Sequence, residues 1–323
     1  MPKSFPSPSA AQLAALFNQL RQLESTGLPA FQALALLEKM DSSLKISLAL
    51  MQRQLKSGIT LSDSGFRAGL FDNTLRTLIH AAEASGQLTK IYGQLAEHYA
   101  ALATRIAKIK SRLWLPGLTL VIALLVQPLP ALVSAQISVG DYLYQSLGPL
   151  AKLAALVFLL LRLPGILRGL GMGEVWDRLQ MAIPLLAQRI RSRQLNAFFF
   201  VLSMLLESGL AFSEAMTMAV KTIPNSAVRA RFAPALAMLY SGASVMTTLV
   251  EVSMIDAKML SVVNSSEQSG KLASGILHYT RLEAEALTRQ DDTLATWLPR
   301  FCYALVAGWL VYSLLNGHPV TSA

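Results

Sequence analysis

The sequence predicts an all-α membrane protein: two tandem cytoplasmic six-helix modules with three transmembrane helices. Three observations carry that reading. The 323 residues are 53% hydrophobic and only 15% charged, against about 25% charged in an average soluble protein. Short motifs recur in the same order in the two halves. The densest basic runs, Arg105-Lys108-Lys110-Arg112 and Arg189-Arg191-Arg193, flank long apolar stretches. No window alternates apolar and polar residues as a half-buried strand would.

Residues 1–10 form an N-terminal tail with three prolines and no apolar core, so no cleaved signal peptide is predicted. Residues 11–112 are the first module. Leu13, Leu16, Phe17, Leu20 and Leu23 follow the three-and-four spacing of a helix with one buried stripe. Gly27 suits the left-handed residue that ends such a helix, and Pro29 opens a second helix where proline is tolerated. Ser57-Gly58 closes a third, and Thr60 with Asp63 resembles the cap of a short fourth. A fifth runs from about Asp72 to Ala84, and a sixth from Leu88 into the first span.

That span, 113–134, carries no charge, and Pro116 lies in its first turn, where a missing donor costs least. Residues 135–146 form an outward-facing loop with Asp141 and no Lys or Arg. The second span, 147–170, contains Lys152 and Arg162. Charges at such positions are expensive and often functional. Either both extend to opposite interfaces, or one pairs with an acid in a neighbouring membrane helix. Residues 171–295 are the second module, with Phe198, Val201, Leu202 and Leu205 repeating the buried stripe. The third span, 296–316, holds one charge, Arg300, and aromatics near both ends, and 317–323 is an outward-facing tail. The large polar regions carry the cations and are therefore cytoplasmic by the positive-inside rule.

The repeat is explicit. Gly27-Leu28 corresponds to Gly209-Leu210, and Ser57-Gly58 to Ser241-Gly242. Glu83-x-Ser85-Gly86-x-Leu88 corresponds to Glu267-x-Ser269-Gly270-x-Leu272, and Trp114-Leu115-Pro116 to Trp297-Leu298-Pro299. Every pair is separated by 182 to 184 residues. Ordered matches at one separation mark a tandem duplication.

No chemistry of an enzyme is written in the chain. His80, His98, His278 and His318 are scattered without metal-ligand spacing. No G-x-S-x-G turn and no phosphate-binding G-x-x-x-x-G-K-[ST] loop occurs. Catalytic, cofactor and metal sites are accordingly read as none. The single Cys302 lies in an apolar run and permits no internal disulfide. A net charge of +9 suits a nucleic-acid or a membrane partner, and the position of the cations beside apolar stretches selects the lipid bilayer, with no nucleic acid. Glu83 and Glu267 are either contacts to a basic partner surface or local acceptors of backbone donors. Met204, Met216, Met218, Met238, Met246, Met254 and Met259 form either an adaptable partner groove or part of the second core.

These motifs together resemble the inner-membrane platform proteins of type II secretion systems and type IV pili, the general secretion pathway F family. The carriers are Leu-Leu-Glu-Ser-Gly-Leu at 205–210, Gly58 and Gly242 between helices, and the Glu-x-Ser-Gly-x-Leu pair. To these is added the stretch Trp176-Asp177-Arg178-Leu179 through Pro184 to Arg191-x-Arg193. The resemblance implies a multi-pass protein of the bacterial inner membrane, with the N-terminus cytoplasmic and the loop and tail periplasmic. It implies coupling of a cytoplasmic assembly or secretion ATPase to pilin or pseudopilin filaments. Other inner-membrane assembly proteins and further copies of the chain are implied partners. Glu83, Glu267, Lys152 and Arg162 are the candidate contacts; Gly27, Gly58, Ser85, Gly86, Gly209, Gly242, Ser269 and Gly270 are the structural motif. The chain departs from the family where a Phe-Pro pair commonly starts the fifth helix: here stand Phe71-Asp72 and Met254-Ile255-Asp256. A repeat-built membrane transporter component is the alternative reading, but transporters place most of their mass in the bilayer.

Overall fold

Helices begin where this sequence supplies side-chain acceptors and end where it supplies glycine. The computed structural model describes residues 8–40, 43–126, 128–134, 136–169 and 172–289, with 300, 304 and 308 as single positions. Among them all regular structure is helical. The third predicted span, including Cys302, the tail with His318, and residues 1–7 lie outside the described residues, those three single positions excepted. The chain divides into two units. One joins Met1–Thr104 with Asp177–Leu287; the other joins Arg105–Trp176 with Thr288–Ala323.

In the first unit, α1 (Ala10–Ser25) opens on a reciprocal cap between Ser9 and Gln12. It is followed by α2 (Ala30–Met40), α3 (Lys45–Lys56), α4 (Leu61–Arg67), α5 (Asn73–Ser85) and α6 (Leu88–Val126). The predicted stripe is buried at Leu13, Leu16, Phe17 and Leu20. The Phe17 ring stacks on Phe71 at 5.9 Å, on Tyr92 at 6.0 Å and on Tyr99 at 5.9 Å. One side chain of α1 thereby ties the start of α5 to α6.

Residues 171–295 hold more helices than the expected six. They are α9 (Gly173–Ala182), α10 (Pro184–Glu207), α11 (Phe212–Lys221), α12 (Ser226–Ala230), α13 (Ala233–Tyr240), α14 (Val245–Val250), α15 (Ala257–Gln268) and a further helix over 272–289, here α16. Two local causes account for the excess. Pro184 has no amide hydrogen to continue α9 and starts α10 instead. A break at 231–232 then leaves two short helices, α12 and α13, ahead of Gly242. Phe198, Leu202, Leu205, Met204, Met216 and Met259 are buried, so the methionine positions divide. Three fill the core, whereas Met238 is 38% exposed.

The aspartates that replace the family's Phe-Pro cap their helices. Asp72 Oδ1 accepts the Leu75 amide at 2.8 Å, and Asp256 Oδ1 accepts the Met259 amide at 3.0 Å. The glycines Gly27, Gly58, Gly86, Gly209, Gly242 and Gly270 all have positive φ, between 66° and 84°. At Gly86 that angle lets the Gln87 amide reach back to the Ala82 carbonyl, 2.9 Å away, and close α5.

α6 starts in the first unit and continues from Arg105 in the second; it is, among the described residues, the one helix both long and apolar enough to cross a membrane. Its Trp114, Leu115, Leu118 and Ile122 are exposed. Next come α7 (Leu129–Val133) and α8 (Val139–Gly169). The latter contains the second predicted span but opens at Val139 rather than Leu147, because Ser138 and Asp141 cap it reciprocally: the Asp141 amide donates to Ser138 Oγ at 3.2 Å, and the Ser138 amide to Asp141 Oδ2 at 3.3 Å. Tyr142 Oη donates to the Leu125 carbonyl at 3.0 Å, joining α8 to α6.

Candidate functional site

The two members of the duplicated acidic motif have different surroundings. Glu83, near the end of α5, reaches across to the start of α4. The Leu61 amide donates to its Oε1 at 3.0 Å, and the Ser62 amide and hydroxyl donate to Oε2 at 3.5 and 3.4 Å. Thr60 Oγ1 accepts the Asp63 amide at 3.3 Å. Three of the four orphan donors at that helix start are thus satisfied. The Glu267 carboxylate has no hydrogen-bond or ion-pair partner among the described residues, and the residue is half-buried. Ser85 and Ser269 behave alike. Each donates its hydroxyl to a carbonyl three residues back, Ala82 at 3.4 Å and Ser266 at 3.2 Å.

Lys152 and Arg162 lie on α8, both exposed. The Arg162 guanidinium stands over the Phe158 ring at 5.3 Å, a cation–π contact one turn back along the helix.

A third acid, Glu207, occupies a more connected position than the four candidates. It ends α10, and its side chain is 9% exposed. Gln94 Nε2 donates to Glu207 Oε2, and Lys90 Nζ lies 3.4 Å from the same oxygen. One and two turns along α6, Glu97 pairs with Arg281 of α16 at 2.8 Å and the His98 ring stacks on Phe200 of α10 at 4.3 Å. Residues 90, 94, 97 and 98 share one face of α6 by helical spacing, and all four engage the second half of the chain. His98 is an exposed residue, yet the packing of its imidazole on Phe200 and Tyr99 holds the ring below its ordinary pKa by desolvation. This node lay within the quoted 205–210 motif, but its partners are too distant in sequence to be read from it.

Asp177, in the Trp-Asp-Arg-Leu stretch, is buried, and its Oδ2 accepts the Ser226 amide at 2.8 Å and the Ser226 hydroxyl at 3.0 Å. Asn225 donates back to the Asp177 carbonyl at 3.4 Å. The motif therefore anchors α9 to the turn ahead of α12.

Among the described residues the chain is all-helical, and part of it is matched by the type II secretion system protein F family. Residues 16–134 match that family, as the motif resemblance implies. Three relatives extend the likeness. The type II secretion system protein F of Vibrio cholerae is 26% identical over 327 residues, covering 93% of this chain and 78% of the relative. That of Pseudomonas aeruginosa is 26% identical, covering 87% and 75%. The type IV pilus assembly protein PilC of Thermus thermophilus is 27% identical, covering 82% and 70%.

Proposed function

We propose that the chain as a whole is an inner-membrane platform protein of a type II secretion or type IV pilus machine, coupling a cytoplasmic ATPase to pilin or pseudopilin assembly. The observation that carries this is the extent of the likeness: 93% of the chain aligns with a protein F, beyond the matched domain at 16–134. The duplicated motifs support two tandem cytoplasmic modules. The uncharged window after Arg112, the exposed apolar face of α6 and the cations before it support a first crossing with the N-terminus inside. Two more crossings, at 147–170 and 296–316, complete the reading. As a structural platform it carries no catalytic centre of its own and relies on the ATPase for energy. In this scheme Lys152 and Arg162 face the bilayer-embedded helices of pilins, and Glu267 is the duplicated acid left for a partner contact.

Co-purification tests it. Solubilised from membranes of cells that make the filament, the tagged full chain should retain the ATPase and pilin-like subunits. Retention of neither, with substrate uptake by the purified protein in vesicles, establishes the transporter reading instead. Lys152→Leu should insert normally and reduce filament assembly. Unchanged assembly removes the lysine from the scheme.

A further inference from the structure

A cleft between α5 and α11, within the first unit, belongs to none of the interactions above. Its main chamber has a volume of about 450 Å³, with Arg76 and Thr77 on one wall and Lys221 and Thr222 on the other. His80 and Met218 line this chamber and also a second of about 330 Å³, which continues past Ser85 to the turn at Ser208–Ala211. The trough thus follows α5 for most of its 13 residues, about 20 Å at helical rise. Such a length accepts about six residues of extended chain. A single ion would occupy a small part of it.

The charges in the trough are prepared for an anion. Arg76 Nε donates to Asp63 Oδ1 at 2.6 Å, and the guanidinium lies over the Phe66 ring at 5.0 Å. Both contacts fix the plane of the fork while its two terminal nitrogens have no partner among the described residues. An arginine held in this way is suited to a bidentate grip on carboxylate. Lys221, exposed on the facing wall, also has no ion-pair partner among the described residues. Asn73, Thr77 and Thr222 add neutral donors. No Phe, Tyr or Trp lines either chamber, so a nucleobase would find no face to stack on. Asp63 lines the same chamber as Arg76 and Lys221 and leaves it one net positive charge, whereas Glu214 lines the far chamber, so the trough has a direction, net cationic at one end and acidic at the other.

We propose that this cleft is a docking site for an acidic peptide segment of a protein partner, its carboxylates gripped by Arg76 and Lys221. The chemistry belongs to the cleft whatever machine the chain serves. The test uses the full chain in nanodiscs and a fluorescent peptide of about six residues rich in Glu and Asp, followed by anisotropy at low salt. The wild type should bind it, and Lys221→Glu and Arg76→Gln should weaken binding about tenfold, the loss of one charge-assisted contact. Lys258→Glu, the same charge change at an exposed site on α15, should leave it unchanged. Equal weakening by Lys258→Glu would reduce the effect to general attraction and overturn the site. Binding of pyrophosphate without binding of the peptide would overturn it in favour of a phosphate ligand.

Discussion

Arg281 Nη2 stands 2.8 Å from Glu97 Oε2, and the two are 184 residues apart, the separation that also relates Glu83 to Glu267. Repeat-equivalent positions thus meet each other across the two halves. Their side chains are 50% and 62% exposed, so water screens the pair and its worth is small, about 0–1 kcal/mol. Glu207 is the contrasting case, since it is enclosed and holds both Lys90 and Gln94. Arg281→Gln should therefore change unfolding stability by less than about 1 kcal/mol. Glu207→Ala should cost about 1–3 kcal/mol, because Gln94 Oε1 is already buried without a partner and the amide would then be satisfied at neither end. Thermal unfolding of both variants in the same detergent measures the difference. Equal losses would mean that the halves are held by packing alone.

Glu83 supplies a sharper comparison, between an acid that is used and its repeat that is not. Removing its carboxylate exposes the start of α4, so Glu83→Ala should cost about 1–2 kcal/mol, as the loss of a helix cap does. Glu83→Gln keeps an acceptor and should cost less. Glu267→Ala should fall within about 0.5 kcal/mol of the parent. Amide exchange at Leu61 and Ser62 gives a local readout, and it should accelerate in Glu83→Ala alone. If Glu267→Ala is as damaging as Glu83→Ala, the asymmetry drawn between the two halves is wrong.

That asymmetry marks how far the sequence could be read. The stripe of α1 and the glycines that end helices were legible because both signals are local: helical period and positive φ are decided within a few residues. Asp72 and Asp256 were equally local, yet they read only as departures from a Phe-Pro pattern; their side chains do the capping that proline cannot. The acceptor role of Glu83 depends on Leu61, 22 positions away, and the Glu207 node on Gln94, 113 positions away. One sequence, with no record of what varies together, carries no signal for such pairs. The cleft is still less legible, since Arg76 and Lys221 belong to different halves and meet only through packing.

Gly65 is a position whose constraint the repeat did not flag. A Cβ added there would lie 2.0 Å from Phe71 Cδ2, and that ring is buried against Phe17. The ring cannot yield without unstacking, so Gly65→Ala should destabilise by about 1–3 kcal/mol through overpacking, despite the better helix propensity of alanine. Gly117 on α6 has nothing within 4 Å of the same added atom, and Gly117→Ala should be neutral or stabilising. Near-ultraviolet circular dichroism should report lost aromatic packing in the first variant and none in the second.

His98 makes the contact between α6 and α10 dependent on pH. Its ring lies 4.3 Å from Phe200 and edge-on to Tyr99 at 5.4 Å, and desolvation by these rings lowers its pKa below the ordinary 6.5 although the residue is exposed. The native state therefore takes up a proton less readily than the unfolded chain, which does so as pH falls through that ordinary value. The unfolded state then binds more protons, so stability is fully present above about pH 6.5 and is lost progressively below it. Because the residue is exposed, solvent screens the effect, and the slope stays well below the limit of about 1.4 kcal/mol per pH unit for one group. The flanking charges, Glu97 with Arg281 and Glu207 with Lys90, are themselves paired and leave the desolvated ring as the titrating member of this face. His98→Phe keeps an aromatic surface for Phe200 without a proton to gain, so its melting temperature should fall less than that of the parent between about pH 7.5 and 5.5. Superimposable pH profiles for parent and variant would show that the imidazole finds its proton without leaving the interface, and the pH dependence of this contact would have to be abandoned.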